Sequence, residues 1–389
     1  MSDLPTSPKP IPIIAPRAAF EELKAETEAA VLRVLASGDY ILGAETAAFE
    51  KESAEYLGVT HSIGVSSGTE ALLLALQELN VGPGDEVIVP YFTFIATATV
   101  VARLGARPVF VDIDPENYQM SPEAFARAIT PRTRAVIPVH LYGHPAPLDA
   151  YLRVAESAPQ RIPIVEDAAQ AIGTICRVGG RLVKAGSAGF WGCFSFYPTK
   201  NLPACGEAGL MVTANAAHAE RARQLRAHGM DAPYRHALLG GNARLDALQA
   251  AILRIRLRKL EEWNGRRRAH AALYDRLFAE SGLLAKQAGF VLPPTPRNGE
   301  VSNYHQYTIR APRREELKAH LQERGIASGV YYPIPVSMQP VFAGLGARSG
   351  DFPAAEAASR EVLSLPVHQN LEPGNVERIV SAVVDFYRR

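Results

Sequence analysis

Ser62-Ile63-Gly64-Val65 is a short apolar run, and Ser66-Ser67-Gly68-Thr69-Glu70-Ala71 joins it to an apolar helical pattern over Thr69 to Leu79. The same unit then recurs. Val87 to Val89 precedes a helical pattern from Thr93 to Leu104, and Val109 to Val111 leads to Ser121-Pro122, an N-cap with proline at the first helical position. Ala135 to Val139, a helix over Leu148 to Glu156, and Ile162 to Val165 continue the series. Strands this rich in Val and Ile, separated by helices, predict an α/β fold with a mostly parallel sheet flanked by helices on both faces. Ligands of such sheets sit at the carboxyl ends of the strands, where Ser66, Asp112 and Asp167 fall.

The chemistry gathers between Ile162 and Gly209. There Ile162-Pro163-Ile164-Val165 runs into Glu166-Asp167-Ala168-Ala169-Gln170, and Phe194-Ser195-Phe196-Tyr197-Pro198-Thr199-Lys200-Asn201-Leu202 follows. An acid closing a buried strand, then a lysine held in a Pro/Asn turn, suits a lysine-bound pyridoxal phosphate (PLP). That cofactor needs an amine for its Schiff base and a carboxylate to keep its ring nitrogen protonated. A carboxylate about 4 Å from a pyridinium nitrogen, at an effective dielectric near 20, gains about 4 kcal/mol. That is roughly three pKa units, enough to hold the ring proton at neutral pH. Lys200, once displaced by an incoming amine, is then placed to act as the base. Gln170, three residues after Asp167, is placed to donate to the ring hydroxyl oxygen or to cap loop backbone. The Ser66–Ala71 junction on its own reads first as an ordinary Thr/Ser N-cap, and otherwise as a phosphate cradle of free N–H groups, with Gly68 admitting the anion. Neither a GxxxxGK[ST] run nor a GxGxxG turn is present, since Gly82-Pro83-Gly84 has Val87 at the last glycine position. Phe92 and Phe94 follow the next strand and offer an aromatic wall. His140 and His144 have a metal-pair spacing, but Gly143 and Pro145 break the helix that would align them, so no metal is expected.

The bulk numbers fit this reading. At 389 residues the chain exceeds one ordinary core, and 47% apolar with 21% charged residues is the balance of a soluble globular protein. A formal charge of +1 argues against a dedicated surface for nucleic acid or anionic membrane. The three cysteines (Cys176, Cys193, Cys205) form no CxxC pair, which fits a reducing cytoplasm; Cys193 and Cys205 read as small apolar filler. The Pro-rich start has no apolar core of a signal peptide, and no apolar run reaches membrane-spanning length. The expected organisation is an extended N-terminal arm over 1–16, a large PLP-binding domain over 17–263, and a smaller C-terminal α+β lobe over 264–389. Within these, helices are expected over Phe20 to Leu35, ending at Ser37-Gly38, and over Ala44 to Leu57, ending at Gly58. Further helices are expected over Ala216 to Ala227 and Ala243 to Trp263, the latter with Arg254, Arg256 and Arg258 on a solvated face. A long helix through Tyr274 and Leu277 should cross into the second lobe, which shows a strand over Tyr304 to Ile309 and a helix over Pro312 to Arg324.

Taken together, the chain resembles the sugar-nucleotide aminotransferases of the DegT/StrS group, within the fold-type-I PLP enzymes. The resemblance runs from Gly38-Asp39-Tyr40-Ile41-Leu42-Gly43 to the C-terminal lobe. It is carried by Ser67-Gly68-Thr69-Glu70-Ala71-Leu72, Val111-Asp112-Ile113-Asp114, Glu166-Asp167-Ala168-Ala169-Gln170, Ser195 to Leu202, and Asn242-Ala243-Arg244-Leu245-Asp246. It implies that Lys200 holds the cofactor as a Schiff base and that Asp167 pairs with the ring nitrogen. It further implies that Gln170 contacts the ring oxygen, Phe94 stacks on the ring, and Gly68, Thr69 and Ser195 bind the phosphate. Asn242 would reach the phosphate of a neighbouring subunit, making the active unit a homodimer with shared sites. Glutamate as amino donor and a nucleotide-linked keto sugar as acceptor are implied as well.

His140-Leu141-Tyr142-Gly143 and Tyr332-Pro333-Ile334-Pro335 are most similar to members that aminate C3, with His305 and Tyr332 as substrate contacts. Two departures stand out. Ser337-Met338-Gln339 stands where many C3 enzymes have His-Leu-Gln; UDP-3-keto uronic acid aminotransferases also depart there, and Tyr304 to Arg310 resembles them too, which leaves UDP- and dTDP-linked acceptors open. Glu207 stands where an aspartate is common and is expected to orient backbone. The rivals are a PLP-dependent sugar dehydratase, against which Lys200 counts because such enzymes carry histidine there, and a non-catalytic regulatory homologue of the same fold.

Overall fold

A computed structural model describes residues 9–388; Met1 to Pro8, the front half of the expected arm, lie outside the described residues. The alternation becomes β1 (His61–Val65), β2 (Glu86–Pro90), β3 (Arg107–Val111), β4 (Thr133–Val136), β5 (Val165–Asp167), β6 (Trp191–Ser195) and β7 (Gly209–Thr213). β2 lies between β3 and β4, parallel to both. Parallel bridges Val136–Ile164 and Val139–Asp167 carry the sheet on to β5, and β6 adds to β5 in parallel. β7 alone of the seven runs backwards, antiparallel to β6 and to β1. The order is therefore β3-β2-β4-β5-β6-β7-β1, mostly parallel as expected.

Successive side chains of a strand point to opposite faces, and the core divides accordingly. Ile88, Val136, Phe194 and Leu210 pack on one face, while Val87, Val89, Ala135, Ile137, Cys193 and Met211 pack on the other. Burial on both faces is why these strands read as continuous apolar runs.

Several expectations are corrected. Phe20 to Leu35 is not one helix but two, Pro16–Glu22 and Lys24–Ser37, with buried Leu23 leaving helical geometry between them. The expected Ala243–Trp263 helix starts only at Ala247 and stops at Leu257, and a second, Leu260–Glu280, follows. Residues 242–246 are extended instead, because Val65 bridges Arg244, Ile41 bridges Asp246 and Ala227 bridges Asn242, covering the open edge of β1. The arginines are not one solvated face. Arg256 is buried, donating to the Pro203 carbonyl at 2.7 Å and to Cys205 Sγ at 3.3 Å. Arg254 bridges Glu45 and Glu52, both at 2.6 Å, and only the exposed Arg258–Glu26 pair matches the expectation. Cys205 is exposed rather than apolar filler. A hairpin of Ile175–Val178 and Arg181–Lys184 also appears, turning on Gly179-Gly180, both at positive φ.

The Leu260–Glu280 helix begins with Leu260 in the core on one face of the sheet and ends inside a separate core with Ala271, Tyr274 and Phe278. That core also holds the antiparallel pair Tyr307–Arg310 and Val362–Leu365 and the amphipathic helix Asn375–Arg388. Ile11 joins it from the other end of the chain, through a parallel bridge to Ile326. Among the described residues no helix is long and apolar enough to cross a membrane.

Candidate active site

The carboxyl ends of β1, β5 and β6 converge on a cavity of about 590 Å³. At the end of β1, Ser67 caps the helix Gly68–Glu78, its Oγ accepting from the Glu70 N–H at 3.1 Å. The N–H groups of Gly68 and Thr69 are left without an intrahelical acceptor, and both residues line the cavity. The N-cap reading of this turn is met by Ser67, and the next two residues stand free of it at the cavity. A Cβ on Gly68 would lie 2.6 Å from that of Ser195, so only glycine lets this turn close against the end of β6.

Asp167 ends β5 with its carboxylate buried. Its Oδ2 accepts from Thr97 Oγ1 at 2.9 Å and its Oδ1 from the Ala169 N–H at 3.2 Å. Burial pushes its carboxyl up, while those two hydrogen bonds and the charge of Lys200 draw it back. Lys200 is held in its turn by a 2.8 Å bond from its N–H to the Tyr197 carbonyl. It keeps some accessible area because it faces the cavity, yet the surrounding protein lowers its amine to about 8, against the opposing pull of Asp167. Among the described residues no ion pair closes between the two, so each senses the other across open space.

The remaining wall is aromatic and polar. Gln170 Oε1 accepts from the Tyr142 N–H at 2.6 Å, which turns its Nε2 to donate to the Tyr332 hydroxyl at 3.1 Å. Phe94, half exposed, stands 5.9 Å from Tyr332 between ring centres. Ser195 and His305 also line the cavity.

Asn242 does not. It lies in an adjoining depression of about 450 Å³ with Arg244, which donates to its Oδ1 at 3.1 Å. Glu207 borders both spaces, and among the described residues its carboxylate makes no hydrogen bond to the backbone it was expected to orient. The sequence pattern does not single out Thr97; a threonine pair four apart (Thr93 and Thr97, 3.1 Å between hydroxyls) is its one signal. His140 is packed away from the cavity. Its Nε2 is on Glu166 at 2.9 Å and its Nδ1 accepts from the Ala146 N–H, so both ring nitrogens are engaged in the core.

A glycine-lined helix start for a phosphate, a buried acid for a pyridine nitrogen and a lysine across from it together fit PLP. On this fold they define a pyridoxal-phosphate enzyme of fold type I. Comparison narrows the class: the chain belongs to the DegT/DnrJ/EryC1/StrS aminotransferase family, whose profile matches residues 21–384. It is 46% identical over 389 residues to a dTDP-3-amino-3,4,6-trideoxy-alpha-D-glucose transaminase of Streptomyces venezuelae, covering 100% of this chain and 99% of that one. Identity is 40% over 363 residues to a UDP-2-acetamido-2-deoxy-3-oxo-D-glucuronate aminotransferase of Pseudomonas aeruginosa, covering 93% and 96%. The crystal structure of S. venezuelae DesV in complex with a ketimine intermediate matches with a TM-score of 0.91 and 46% identity, over 98% of this chain and 100% of that one. The protein is a PLP-dependent aminotransferase.

Proposed function

We propose that this enzyme moves an amino group from glutamate to C3 of a keto sugar carried on dTDP or UDP. The observation that carries the reading is the opposed pair Asp167 and Lys200 in one cavity. Two relatives whose names specify 3-amino and 3-oxo sugars support the position and leave both nucleotides in play. Bound PLP supplies the electron sink and carries the amino group between half-reactions. Asp167 holds the proton on the ring nitrogen, and Thr97 and the Ala169 N–H keep that carboxylate aimed. Gly68, Thr69 and Ser195 take the phosphate, Gln170 the ring oxygen, and Phe94 a ring face. Lys200 anchors the cofactor at rest and, once freed, moves the proton between carbon centres as a base. Tyr332 and His305 face the sugar.

The active unit is a homodimer in which Asn242 reaches the partner's phosphate, as its place outside the home cavity favours. The enzyme works in the cytoplasm, in keeping with its free cysteines. Glutamate added to the holoenzyme should bleach the cofactor's visible absorbance and release 2-oxoglutarate; an unchanged spectrum overturns the reading. Mixed dimers of Lys200→Ala and Asn242→Ala chains should retain about half of the wild-type activity, because one site bears both lesions and the other is intact; activity near zero refutes shared sites.

A further inference from the structure

Asn201, one residue beyond the lysine, is buried with both ends of its amide engaged. Its Nδ2 donates to Asn264 Oδ1 at 2.8 Å and to the Asn303 carbonyl at 3.0 Å. A backbone carbonyl can only accept, and Asn264 spends its own Nδ2 on the Ile172 carbonyl at 3.1 Å. The Asn201 amide is therefore fixed in one sense, with Oδ1 toward His305 Nδ1 at 3.2 Å. An oxygen there requires the His305 proton on Nδ1, which leaves a lone pair on Nε2. That nitrogen makes no hydrogen bond among the described residues, and the ring lines the cavity that holds Lys200.

A second device keeps the ring uncharged. Arg267 is buried behind it, donating from Nη1 to the Tyr304 and His305 carbonyls, both at 3.3 Å, and from Nε to Gln369 Oε1 at 3.2 Å. No carboxylate pairs with Arg267 among the described residues, so its charge is felt by its neighbours. Burial, then Lys200, then Arg267 hold His305 well below the usual imidazole range.

We propose that Asn201 is a positioning residue that locks His305 in the Nδ1–H tautomer, making Nε2 a fixed acceptor for the Lys200 ammonium. This rests on the reading of Lys200 as the amine that moves the proton. Lys200 takes a proton from carbon and becomes an ammonium, one of its N–H bonds points to His305 Nε2, and the proton then passes to the second carbon. His305 never takes the proton; it steadies the lysine between the two positions.

The test is the ¹⁵N spectrum of histidine-labelled holoenzyme, with the His305 signals assigned by their loss in His305→Gln. A neutral ring protonated at Nδ1 is expected at neutral pH, and a ring protonated at Nε2 or at both nitrogens overturns the proposal. No turnover is needed, so this outcome is separate from a failure of transamination, which shows as missing 2-oxoglutarate. Asn201→Leu should shift the proton toward Nε2 and lower kcat about tenfold, one hydrogen bond's worth, with KM for the sugar within about twofold. An unmoved tautomer or an unmoved kcat overturns the proposal. His305→Gln, which keeps an acceptor near the place of Nε2, should retain more kcat than His305→Leu, and equal losses refute an acceptor role. Should Asn201→Leu fail to fold, the wild-type spectrum still decides.

Discussion

Replacing Glu166 by glutamine removes one oxygen's charge and adds two hydrogens, with no change of volume. Glu166 is fully buried. One carboxylate oxygen accepts from the Ala188 and Gly189 N–H groups at 2.8 and 2.5 Å; the other accepts from the Gly186 N–H at 2.7 Å and from His140 Nε2 at 2.9 Å. Whichever oxygen becomes an NH₂, it confronts two donors. His140 cannot relieve the conflict by moving its proton, because its Nδ1 already accepts from the Ala146 N–H at 3.0 Å. Two hydrogen bonds to a charged acceptor, at about 1.5–3 kcal/mol each, give a loss of about 3–6 kcal/mol. Unfolding entropy near 2.1 cal/mol/K per residue comes to about 0.8 kcal/mol/K for a chain of 389 residues. The melting temperature of Glu166→Gln should therefore fall by about 4–7 °C in a calorimetric scan of the apoprotein. A melt within about 1 °C of wild type would refute the claim that this carboxylate is held by four donors.

Lys200 in the apoprotein should titrate near 8, read by ¹³C NMR after reductive methylation. Its folded value lies below the unfolded one, so the lysine costs stability at low pH and that cost fades as pH rises from about 8 toward the ordinary lysine value. Asp167→Asn removes the charge that favours the ammonium, and the Lys200 titration should move down; an upward move contradicts the placement of the pair. Thr97→Val keeps the shape but deletes the 2.9 Å bond to Asp167, and should lower kcat/KM about tenfold or more; wild-type kinetics would show that the bond is idle. Lys200→Ala should lose both the visible cofactor absorbance and turnover, and retained turnover would remove the lysine from its role.

The sheet and the places of Asp167 and Lys200 at one cavity were legible in the sequence because both depend on local pattern. Apolar runs between helical periods dictate a parallel sheet, and Asp167 and Lys200 sit where strand ends and turns must fall. What was not legible depends on partners far along the chain. Glu166 and Asp167 are adjacent carboxylates, and a strand's two-residue period sends one into a nest of backbone amides and the other into the cavity. Nothing local says which goes where. Arg256 looks like a surface arginine until Pro203 and Cys205 arrive over it. The extended stretch before Ala247 exists because β1 has an open edge, a need that helical periodicity does not register. Asn201 reads as turn chemistry, and its ties to Asn264, Asn303 and His305 span 63 residues or more.

Two segments far apart in sequence meet at the cavity. Ile13 and Ile14 form part of its wall beside Ser364, Leu365 and Val367, and Ile11 is fastened to the small lobe close by. That wall closes only when these distant segments find each other, so replacing Ile13 and Ile14 by polar residues should compromise what the enzyme accepts while sparing the sheet beneath.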